Sequence, residues 1–208
     1  MTIRCLWFAV VSALLSATSL GEVMDSAGNG FSVKHSTVIA ATRDEVYDVA
    51  VRRISEWWSS DHTISGDAGN LYIDAKPHGC FCERLGPDAG LIHLALTFVN
   101  PGTMLRFTGG LGPLGLMGVS GNMTWEFEDH EDGMQLTLNY AVGGYLDGGL
   151  DAIAEAVDGV LVEQIENLKK LVEAGKERHS DETARGHQLA AVANEAVMPS
   201  HPLTIRTP

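Results

Sequence analysis

The chain has little with which to hold a polyanion. It carries 14 lysines and arginines against 27 aspartates and glutamates in 208 residues, a formal charge of −13. Neutralising phosphates takes clustered basic side chains, and no window supplies them, so nucleic acid is excluded as a partner. Cysteine is also scarce, with three in all. A disulfide scaffold is excluded, and the core must be hydrophobic. The strings GxSxG and HExxH are absent, as is a Gly-Lys-Ser/Thr phosphate loop, so three common enzyme chemistries have no footing. The longest apolar run, Cys5 to Leu15, has 11 residues. A membrane span needs about 20.

That short run has a different meaning. Arg4 precedes it, and the small residues Ser16-Ala-Thr-Ser-Leu-Gly21 follow, which are the parts of a secretory signal peptide. Residues 1–21 are expected to be a cleaved leader, with the cut after Ser19 or Gly21. The expected address is a bacterial periplasm or the medium, with no stable membrane insertion after cleavage. Residues 22–30 then form a linker, 31–175 the domain, and 176–208 a flexible polar tail rich in charge and closing on prolines.

Within the domain, residues 31–40 alternate as a strand does, and Thr42-Arg-Asp-Glu45 is a capping box. Val46, Val49, Ala50 and Ile54 then recur at helical spacing up to Trp57-Trp58. Period-two segments follow at 70–75, 78–85, 91–99, 103–108, 122–129 and 134–142. Asn100-Pro-Gly102 and His130-Glu-Asp-Gly133 supply hairpin turns. Met123, Trp125 and Phe127 fall on one face, and so do Leu136, Leu138, Tyr140 and Val142, as in an antiparallel sheet wet on its other side. From Leu150 to Val172 an apolar stripe at i, i+3, i+4 and i+7 marks a helix of about six turns, long enough to lie across that sheet.

The order strand, short helix, about six antiparallel strands, long helix resembles the helix-grip (SRPBCC, START-like) superfamily. It is most similar to the bacterial branch of polyketide cyclase and chaperone-ATPase-activator-like domains. The segments that carry the likeness are ATRDEVYDVAV, GCFCERL, GPLGLMGVSGNMTWEFE and AVDGVLVEQIENLKKL, across residues 31–174. The resemblance implies an α+β fold: a curved antiparallel sheet of six to seven strands around a C-terminal helix, with a short helix after the first strand. It also implies a cavity for a small hydrophobic or amphipathic molecule, and no cofactor. Two other functions are compatible with the fold. One is a cyclase or hydrolase using cavity histidines, should His35, His78 and His93 converge. The other is a co-chaperone-like interaction module.

Nine residues are candidate ligand contacts. Gly110-x-Gly112-x-x-Gly115 spells a dinucleotide fingerprint, but it leads into a strand, contains Pro113 and lacks a βαβ frame. It is expected instead to be a lid in which Leu114 and Met117 supply apolar contact. Trp57 and Trp58 are placed near the mouth, Trp125 in the core or cavity wall, and His78 and Tyr140 as polar anchors. His78, Cys80 and Cys82 share one face if they lie on a strand. For the two cysteines, packing, a redox-sensitive pair and a metal site all remain open.

Overall fold

A computed structural model describes residues 20–195, so the proposed leader lies outside the described residues except for its last two positions. Eight strands form a single antiparallel sheet. They are β1 (Leu20–Ala27), β2 (Gly30–Ile39), β3 (Leu71–Ile73), β4 (Cys80–Gly86), β5 (Ala89–Asn100), β6 (Met104–Gly109), β7 (Gly118–His130) and β8 (Gly133–Tyr145). Their order across the sheet is β1-β2-β8-β7-β6-β5-β4-β3. Helices α1 (Arg43–Arg52) and α2 (Ile54–Trp57) lie between β2 and β3, and α3 (Ala154–Glu195) follows β8.

The class is α+β, as expected, but the strand count exceeds six to seven. The added strand is β1, built from the segment expected to be leader end and linker. Leu20 and Gly21 already pair with Ser36 and His35, and Ala27 closes the hairpin against Gly30. An edge strand needs no alternating apolar face, and the residues from Met24 to Ala27 are exposed.

Alternation governs the rest. Met123, Trp125 and Phe127 of β7 and Met134, Leu136, Leu138, Tyr140 and Val142 of β8 are buried on the inner face. The expected capping box closes: Glu45 N–H donates to Thr42 Oγ1, and Thr42 N–H donates to Glu45 Oε2 at 2.8 Å. On α3, Leu161, Ile165, Leu168 and Val172 turn to the core. Burying four such side chains contributes on the order of 10 kcal/mol. That far outweighs the roughly 1 kcal/mol cost of Gly159 inside the helix. Lys169 and Lys176 donate to the carbonyls of Val38 and Ala40, tying α3 to the end of β2. The helix does not stop near residue 175 but runs through the expected polar tail to Glu195. Half of residues 176–195 are Glu, Lys, Gln, Leu or Ala, and the intrinsic helix preference of these types supports the continuation.

Candidate functional site

Between sheet and helix the packing leaves a cavity of about 310 Å³. Its walls come from three places. Phe81 and His93 belong to β4 and β5, while Val157, Val160 and Leu161 belong to α3. The third part is a lid between β6 and β7, in which Gly112–Leu116 winds as a 3-10 turn opened by Pro113. Trp58 and the segment 61–64 complete the mouth.

The lid is the glycine-rich run, and it forms no helix suited to a pyrophosphate. Leu111 and Leu114 turn inward, whereas Met117 is more exposed and Leu116 is almost fully so. Tyr140 holds its root: the phenol accepts from Leu111 N–H at 3.1 Å and donates to the Gly109 carbonyl at 3.2 Å. Burial pushes the Tyr140 pKa up, partly offset by the Leu111 bond, so the phenol stays neutral.

The mouth is pinned to α3. Trp58 Nε1–H donates to the His62 carbonyl at 3.0 Å, and Ser59 N–H donates to buried Gln164 Oε1 at 2.7 Å. His62 Nε2 lies 3.1 Å from Glu163 Oε2.

One buried ionisable pair stands at the cavity wall. The β4–β5 ladder sets Phe81 opposite Leu94 and Cys82 opposite Ile92, so His93 is the extra residue of a bulge. Bulges re-aim side chains, and here the imidazole turns inward, with His93 only 3% exposed. Its Nε2 is 2.9 Å from Glu83 Oε2. Glu83 also accepts the backbone N–H groups of Ile64 and Ser65, so it secures the mouth segment as well. Desolvation, the largest single effect on Glu83, raises its pKa. The bonds from Ser65, Ile64 and His93 together outweigh this and hold the carboxyl below its usual range. On the other side of the ring, Gly112 N–H donates to His93 Nδ1 at 3.3 Å. An acceptor at Nδ1 puts the ring proton on Nε2, facing the carboxylate.

The nine expected contacts separate into groups. Trp58, Leu114 and Met117 line the cavity. Trp57 and Trp125 border a separate cleft of about 10 Å³, too small for a ligand, and pack in the core with rings tilted at 55° and centroids 5.9 Å apart. Tyr140 is fully buried and acts on the lid, so it anchors protein and not ligand. His78 does not lie on the expected strand, which starts at Cys80; it sits exposed in the preceding turn with φ of 66°. Cys80 and Cys82 form a disulfide, with Cα atoms 5.4 Å apart, and neither lines the cavity. Among the described residues no cluster of three or more His, Cys, Asp or Glu is placed to hold a metal ion.

The three histidines do not converge. His35 is fully buried on β2, with Nε2 3.0 Å from Asp158 Oδ1 of α3 but too poorly aligned for a hydrogen bond. Burial lowers its pKa, and Asp158 opposes that in part. Glu83 and the mouth segment 61–64 are not among the nine expected contacts. Glu83 did leave a signal: it shares a strand face with Phe81, where a carboxylate needs partners.

The fold recurs in solved structures. An uncharacterised protein from Rhizobium leguminosarum is 17% identical, with a TM-score of 0.53 over 76% of this chain and 99% of that one. A Chromobacterium violaceum protein is 15% identical, with a TM-score of 0.48 over 68% and 97%. Of the two, the first exceeds a TM-score of 0.5, and at its identity it shows the fold alone. No curated protein matches the chain in sequence. The model of one family, described as polyketide cyclase / dehydrase and lipid transport, matches residues 30–173. The chain therefore belongs to that family, with the helix-grip architecture its sequence resembles.

Proposed function

We propose that this protein is an exported carrier or receptor that holds one small hydrophobic or amphipathic molecule between its sheet and α3. The observation that carries the reading is the cavity: about 310 Å³, walled mainly by Trp58, Phe81, Leu111, Leu114, Val157 and Leu161. A space of this size falls within the range of small-molecule sites, and binding follows from taking apolar surface out of water. Export is supported by the leader-like pattern of residues 1–21. A second reading, acid–base turnover, is favoured by His93 and by Asp61 and His62, which line the same cavity.

Native mass spectrometry of protein recovered from the periplasm of a bacterial host tests both parts. The expected result is a chain shortened by 19 or 21 residues that retains one small molecule, unchanged in mass on release. Val157→Trp, which fills the cavity, should lose that molecule while keeping the fold. An uncleaved chain overturns export. Wild-type and Val157→Trp protein that are equally empty, or equally loaded, overturn the cavity reading.

A further inference from the structure

Apart from Asp61, His62 and Thr63 at the mouth, the cavity wall has one polar place, and that place has a fixed donor–acceptor order. Gly112 N–H points at His93 Nδ1, which therefore accepts, and Nε2 faces the Glu83 carboxylate. Gly112 N–H can only donate. Both residues line the cavity. They bond each other across 3.3 Å, longer than the usual 2.7–3.2 Å of an N–H···O bond. The pair is thus weakly satisfied.

We infer that His93 and Gly112 form a hydroxyl-reading site, and that the ligand is an apolar molecule bearing an alcohol or phenol. A hydroxyl inserted between them donates to Nδ1 and accepts from Gly112 N–H, so both groups gain a better partner than they have now. Other polar groups fit less well. An ether or ketone oxygen accepts from Gly112 but leaves Nδ1 without a donor in a dry wall, which is costly. A carboxylate presents no proton to Nδ1 and brings a second negative charge near Glu83. An ammonium offers donors to Nδ1 but cannot accept from Gly112. Only a group that both donates and accepts matches the order.

Two structural features suit the pair to this task. Glu83 is held by the mouth segment through Ile64 and Ser65, so the tautomer of His93 is set before any ligand arrives. Gly112 has φ of 58°, and no heavy atom lies within 4 Å of the space a Cβ would take. The lid can therefore shift at this residue by the small distance a bridging oxygen requires, while Tyr140 keeps its root in place. The inference rests on the cavity reading above and adds the class of ligand.

The test uses two probes of matched shape, 2-naphthol and 2-methoxynaphthalene, titrated into wild-type protein freed of its native ligand. A site that only buries apolar surface prefers the ether, which is the more hydrophobic of the two. A hydroxyl-reading site prefers the naphthol, and one hydrogen bond gained together with one unpaired acceptor avoided predicts about tenfold. Equal binding, or preference for the ether, overturns the inference and leaves the cavity reading intact. Binding of neither probe overturns both. A second measurement needs no variant: in ¹⁵N spectra, naphthol should shift the Gly112 amide and His93 Nδ1 together, and the ether should move Nδ1 little. Nδ1 unmoved by naphthol counts against the site. His93→Phe, where it folds, should bind the ether as wild type does and lose the preference for naphthol.

Discussion

Replacing Tyr140 with Phe removes one oxygen atom and two hydrogen bonds at the root of the lid. The ring remains packed in the core, so the change leaves hydrophobic burial almost untouched. Leu111 N–H, on a residue only 9% exposed, loses its acceptor, and the Gly109 carbonyl loses a donor. Leaving a buried amide unsatisfied costs about 1–3 kcal/mol, and an ordinary hydrogen bond adds about 0.5–1.5 kcal/mol. Part of this is recovered as the lid root shifts toward water, so a loss of about 2 kcal/mol is expected. For a chain of this size that is about 4–8 °C in Tm. Urea unfolding should show the loss as a lower midpoint at unchanged slope. Hydrogen exchange should accelerate at the amides of residues 110–117, and ligand dissociation should quicken with it. A destabilisation below about 0.5 kcal/mol, with exchange unchanged in the lid, would refute the role given to the phenol.

Acid should weaken the fold in two stages. Burial lowers the His35 pKa, so the unfolded chain takes up a proton near pH 6.5 that the native state refuses, and stability falls as pH drops through that value. Glu83 is held below its reference of 4.5, so its contribution is complete above that pH and is lost on further acidification. Urea midpoints from pH 8 to pH 4 check this, and a fold that gains stability between pH 7 and 5.5 contradicts the His35 account. Replacing Cys80 and Cys82 together by serine should cost little, about 1.5 kcal/mol by the chain-entropy relation for so short a loop. Ligand affinity should hold within about twofold, because neither sulfur lines the cavity. A large loss of binding would show that the bridge shapes the wall.

Much of the fold was legible because its signals are local. Thr42 and Glu45 announce the start of α1, and the apolar stripe up to Val172 announces the packed part of α3. Trp125 and Leu136 follow the period of their strands. β1 was not legible, since an exposed edge strand borrows its conformation from β2 and carries no face of its own. The site was harder still. Phe81 and Glu83 stand two residues apart in GCFCERL, but the partner of Glu83 is set by a bulge at His93, and bulges leave no periodic trace. The expected start of β7 at residue 122 was late for a related reason. Gly118 to Gly121 look like loop but extend the strand. At Gly121 a Cβ would come within 2.6 Å of the Tyr140 ring, so the residue must be bare for the ring to lie flat there.

That contact divides the glycine-rich run into parts with different freedom to vary. Near Tyr140, any side chain at position 121 displaces the post from which the lid hangs, so the lid root and the sheet must change together or not at all. Beyond Gly112, Leu114 still packs in the core, whereas Leu116 projects into solvent. Substitution can therefore reshape the exposed side of the tip around Leu116 while the lid root and the sheet stay constant.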